Sequence, residues 1–122
     1  MANTDDSEPV ELNISADTVN YIISRARQYD SGEDTLISGG DTTASELREA
    51  IDDLNDDEVV DLIALAWVGR GDFSRDDWED ARALVRERHQ QHSAGYLMGI
   101  PTLADYLEEG LVALGHSYET PG

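Results

Sequence analysis

Ten residues near the middle of the chain, Val59–Val68, would be apolar on every side of a helix, with Asp61 the single charged interruption. A helix with no polar face cannot lie on a surface, so it must be the centre around which other elements pack. Local signals frame it. Asn55 is placed to cap it, and Glu58 three residues on completes a capping box. Leu54 can staple onto Val59. Gly69 is expected to end the helix in the left-handed region. Arg70, Gly71 and Asp72 then make a tight structural turn, with Arg70 pairing with Asp72 or with an acid of a neighbouring helix.

Helical spacing recurs on both sides. Val19, Ile22, Ile23 and Ala26 fall at i, i+3, i+4 and i+7 behind Ser15, a good N-cap, and this helix should fade near Tyr29. Residues 30–42, DSGEDTLISGGDT, carry turn chemistry and read as a mobile loop. A second helix should start at Thr43, boxed by Glu46, with Leu47, Ala50, Ile51 and Leu54 as its stripe. Phe73 and Ser74 are expected to staple and cap a fourth. That helix carries Trp78, Ala81, Leu84 and Val85, then His89, His92 and Tyr96 towards Met98. Gly99 to Pro101 break it. A fifth begins near Thr102 and holds Leu103, Tyr106, Leu107, Leu111 and Leu114 on one face. Gly110 on that face suits a close helix approach, and Gly115 closes the helix. No strand of useful length is present. The expected fold is all-α: a compact bundle of four to five helices around the apolar central helix, about 56–68. Residues 1–11 are expected to be a disordered acidic N-terminus, 12–118 a single helical domain, and 119–122 a loose tail.

Charge limits the function. The chain has 27 Asp and Glu against eight Arg, no Lys, and a formal net charge of −19. Direct nucleic-acid binding is disfavoured, because a phosphate backbone must be met by cations; an anionic membrane repels the chain likewise. Without Cys there is no disulfide and no thiolate site. The opening MANTDDSEPVEL lacks the basic and apolar stretches of a signal peptide, and no run is long enough to span a bilayer, so a cytoplasmic location is expected. The acidity fits a salty cytoplasm or a face for a basic partner.

The segment Leu54–Trp78 resembles DUF3775, an uncharacterised family of small bacterial proteins. The likeness is densest at Asp61-Leu62-Ile63-Ala64-Leu65-Ala66-Trp67 and Gly69-Arg70-Gly71-Asp72-Phe73. It resumes at Tyr96-Leu97-Met98-Gly99-Ile100-Pro101 and at Asp105–Leu111, and Ile14-Ser15-Ala16-Asp17 through Ala26-Arg27 is also similar. The resemblance implies a shared helical fold and no assigned activity.

Candidate chemistry is sparse. His89 and His92, three apart, have a spacing that can hold a metal, though His116 or carboxylates would have to complete the set. Glu46 and Glu49 on the second helix, with Asp76, Asp77, Glu79 and Asp80 on the fourth, share the spacing of Mg²⁺-dependent all-α nucleotide pyrophosphatases but little else. No nucleophile elbow or phosphate loop is present, so no catalytic residue and no cofactor are expected. The stronger candidate is an acidic helix surface, Glu46, Glu49, Asp52, Asp53, Asp56, Asp57 and Asp61. Residues 41–80 hold fourteen acids and three Arg. The expectation is a non-enzymatic interaction or regulatory module with a protein partner, basic in character, or a homodimer. The alternatives are a nucleic-acid mimic that occupies a basic groove, and a Mg²⁺-dependent nucleotide hydrolase.

Overall fold

The structure, a computed structural model, describes residues 9–31, 40–88 and 93–116. Six α-helices pack together, and no strand occurs among the described residues. They are α1 (Ala16–Ser31), α2 (Gly40–Asp52), α3 (Asp56–Arg70), α4 (Trp78–Arg88), α5 (Ser93–Met98) and α6 (Leu103–Ala113). A 3-10 turn, Arg75–Asp77, precedes α4. The all-α bundle read from the sequence is what the chain forms.

The centre is α3. Its residues Val60 to Val68 are all buried. Asn55 and Glu58 exchange the two bonds of a capping box: the Glu58 N–H donates to the Asn55 side chain at 2.8 Å, and the Asn55 N–H to Glu58 at 2.9 Å. α3 packs most extensively on α6; α1 lies against α6 and α2, α4 against α3, and α5 against α2.

The α3–α6 crossing is set by two glycines. A Cβ on Gly69 would stand 1.7 Å from the Tyr106 carbonyl oxygen, and one on Gly110 2.3 Å from that of Leu65. The contacts are reciprocal and antiparallel, Gly69 over Tyr106 and Gly110 over Leu65. Glycine alone allows backbones to meet this closely. The close approach expected at Gly110 is therefore present, and Gly69 has the same role. Gly69 does not end α3. The helix runs on to Arg70, and Gly71, at φ 99°, takes the left-handed position. The Gly71 N–H donates to the Val68 carbonyl and that of Asp72 to Trp67, the paired bonds of a Schellman ending. Gly115 ends α6 in the same way, at φ 90°, with its N–H on the Val112 carbonyl and that of His116 on Leu111.

Other boundaries shift. Ser15 caps α1 as expected, its Oγ accepting the Thr18 N–H at 3.1 Å, but the helix continues to Ser31. α2 starts at Gly40, so Thr43 lies inside it and is buried rather than capping. The expected loop thus loses both ends to helix, and residues 32–39 lie outside the described residues. Ser74 is followed by the 3-10 turn, and its hydroxyl meets the Asp77 carboxylate rather than a backbone N–H. The expected fourth helix is described as two, α4 and α5. Packed chain also begins before Leu12: the Val10 N–H donates to the Leu114 carbonyl at 2.8 Å.

Candidate functional site

α2 passes into α3 through three residues. The Asp53 N–H donates to the Glu49 carbonyl and that of Leu54 to Ile51, and Leu54 packs on the core. This tight corner holds Glu49, Asp52, Asp53 and Asp56 exposed on a short arc. None of the four makes an ion pair among the described residues. Arg48, four residues before Asp52, is also exposed and makes none.

The rest of the expected acidic surface is disposed differently. Glu46 accepts from Arg25 of α1 at 2.8 Å, and Asp57 meets Arg86 of α4 at 3.4 Å. Asp61 is not on the surface at all: it is 1% exposed. Its Oδ1 accepts from Arg82 Nε at 2.8 Å, and its Oδ2 accepts the Asn13 N–H. Arg82 is 15% exposed and reaches Glu79 with another nitrogen. A carboxylate survives burial only when paired and hydrogen-bonded. Here the partners come from α4 and from the segment ahead of α1, neither of which is adjacent in sequence. The apolar run that made α3 central thus carries its charge into the core with it.

Arg70 pairs with Asp72 as expected, through Nε at 2.9 Å and Nη2 at 2.7 Å to one carboxylate oxygen. The Asp72 hydrogen bond is the main force raising the Arg70 pKa above its ordinary value; partial burial opposes it and Tyr96 adds a smaller push. The Trp67 indole N–H donates to the Tyr96 hydroxyl at 2.8 Å. Phe73 stacks on Trp67, with ring centroids 5.9 Å apart and planes at 21°. Sequence reasoning missed this cluster. A buried indole needs an acceptor, but the partner lies 29 residues away and the pairing is invisible without the fold.

His89 and His92 lie outside the described residues. The ring of His116 donates from Nε2 to the Val10 carbonyl at 2.6 Å, so this histidine joins the two ends of the packed chain. Among the described residues no group of three or more His, Asp or Glu is placed to hold a metal ion. Glu46, one half of the proposed Mg²⁺ pair with Glu49, is occupied by Arg25. No described helix is long and apolar enough to cross a membrane.

An all-α bundle built on one buried helix, with an exposed acidic corner, is the class of protein these features define. The chain belongs to the family described as Protein of unknown function (DUF3775), whose model matches residues 44–116, more than half of the sequence. The match begins inside α2 and ends at His116, so the likeness at Ile14–Arg27 lies outside it. No curated protein and no solved structure matches the chain.

Proposed function

We propose that this protein is a non-enzymatic, cytosolic interaction module that docks a basic protein partner on the α2–α3 corner. One observation carries the reading. Arg25, Arg27, Arg70, Arg82 and Arg86 are all committed to acids elsewhere, whereas Glu49, Asp52, Asp53 and Asp56 stand exposed without an ion pair among the described residues and outnumber Arg48, the cation beside them. A concentrated, rigidly held charge of one sign steers an oppositely charged partner and fixes its register. The nucleic-acid-mimic form of this reading loses part of its row, because Glu46 and Asp57 turn to arginines and Asp61 is buried. A homodimer through α4, α5 or α6 gains little from the one large aliphatic exposed there, Val112, since scattered apolar residues are normal on surfaces.

The test is fluorescence anisotropy with a labelled peptide of alternating Arg and Ser at low salt. The corner variant is E49Q/D52N/D53N/D56N. Its control, D76N/D80N/E87Q/E109Q, removes the same charge from exposed positions elsewhere. The corner variant should lose about tenfold in affinity and the control less than about twofold. Equal losses in both would mean that net charge alone attracts the peptide, and the corner would not be a site.

A further inference from the structure

We propose that residues 9–14 are a strap that opens independently of the helical body, with the Asp61 carboxylate as its latch. The strap alternates. Val10, Leu12 and Ile14 turn inward, while Pro9, Glu11 and Asn13 remain exposed, the period of an extended segment laid on a surface. Three hydrogen bonds attach it. The Val10 N–H donates to the Leu114 carbonyl, the Val10 carbonyl accepts from the His116 ring, and the Asn13 N–H donates to Asp61.

The contrast with the body is large. The strap has one fully buried side chain, Ile14, where α3 has nine buried residues in succession. Segments with few buried contacts open at lower free energy than the core they cover. Two of the three attachments end on the short stretch after α6. The third is different in kind, because its acceptor is the buried half of an ion pair. Asp61 divides its oxygens between Arg82 and the strap, so the same carboxylate holds α4 to α3 and the strap to both. When the strap lifts, Oδ2 loses its donor and water or another backbone N–H can take that place. The charges around the opened pair are Glu79 beyond Arg82, and Asp57 with Arg86 one turn back along α3. The inference is independent of the docking reading above.

Amide hydrogen exchange followed by NMR on the full chain tests it at neutral pH. In the unmodified protein the Val10 and Asn13 amides should exchange at least about 100-fold faster than those of Leu62 to Leu65. His116→Ala removes a donor outside the core. It should speed both strap amides by about tenfold and leave Leu62 to Leu65 within about twofold. Asp61→Asn should release Asn13 and Val10 together. Strap amides exchanging at the rate of Leu62 to Leu65 would show that they open only with the whole fold and would overturn the proposal. So would a His116→Ala protein that frees Val10 while Asn13 keeps its original rate. Should Asp61→Asn fail to fold, the unmodified protein and His116→Ala still decide.

Discussion

Gly69 and Gly71 stand two residues apart and do unrelated work. Gly69 lets the α3 backbone touch the Tyr106 carbonyl; Gly71 supplies a positive φ with open space around its Cα. Their alanine variants should therefore differ. Gly69→Ala and Gly110→Ala each drive a methyl into a backbone oxygen that cannot step aside, and each should cost about 3 kcal/mol, the upper part of the overpacking range. Gly71→Ala meets only backbone strain, about 1–2 kcal/mol. Urea unfolding midpoints of the three variants would show the order, and a Gly71 variant as damaged as Gly69 would refute the close-approach account. Thr102 is the converse case. It is the one described non-glycine residue at positive φ, 54°, and it is β-branched. Its hydroxyl donates only to the Pro101 carbonyl and gives α6 no side-chain cap. Thr102→Gly relieves that strain and should stabilise the fold by about 1 kcal/mol, seen as a higher melting temperature.

At the scale of elements, the pairing of α1 with α6 is held by charge at its edge. Arg27 reaches Asp105 at 3.4 Å and Glu108 at 3.2 Å. Asp30, one turn on, suffers instead. Partial burial, then the charge of Asp105, raise its pKa above the ordinary carboxyl value, and Arg27 only partly offsets them. A raised pKa means that the folded state holds the proton more tightly than the unfolded one. The associated stability is present below the ordinary carboxyl range and is lost as pH rises through the folded value. Ionised Asp30 is thus unfavourable at neutral pH. Asp30→Asn should raise the melting temperature slightly at pH 7, with the difference vanishing as the pH falls towards 3. A drop at pH 7 would mean that the Arg27 attraction dominates. The neighbouring α2 shows why element boundaries were only partly legible. The α3 capping box is a local device, complete within four residues, and could be read directly. The first turn of α2, Gly40-Asp41-Thr42, has poor helix propensity, and amphipathic packing of the kind α2 makes on α1 supplies most of a helix's stability.

For the molecule as a whole, a net charge of −19 on 122 residues opposes compaction, and salt relieves such self-repulsion. Raising KCl from 0.05 M to 1 M shortens the screening length to about 3 Å. Stability should rise by about 1 kcal/mol or more, roughly 4 °C in melting temperature for a domain of this size, as followed by circular dichroism. Arg25, Arg27, Arg70, Arg82 and Arg86 already meet carboxylates, so the salt effect should come from the exposed carboxylates that make no ion pair. A melting temperature indifferent to salt would show that the exposed acids are too far apart to repel.

Several properties that depend on residues within a turn or two of one another were legible in the amino-acid order, although the caps expected at Thr43 and Ser74 were not formed. The all-round apolar run placed α3 at the centre, and the Asn55–Glu58 box and the Gly115 ending were each readable from neighbours, while Asp72 was one of two partners open to Arg70. Contacts between distant segments were decided only by the tertiary structure. Burying Asp61 required Arg82 from α4 and a backbone N–H from Asn13. Assigning Gly69 to packing rather than termination required the Tyr106 carbonyl of α6, and separating the four open acids from the paired ones required Arg25 and Arg86. Periodicity tells which face of a helix is apolar. It is silent on which partner that face meets, and a charge at such a contact is stable only when the partner supplies its hydrogen bonds.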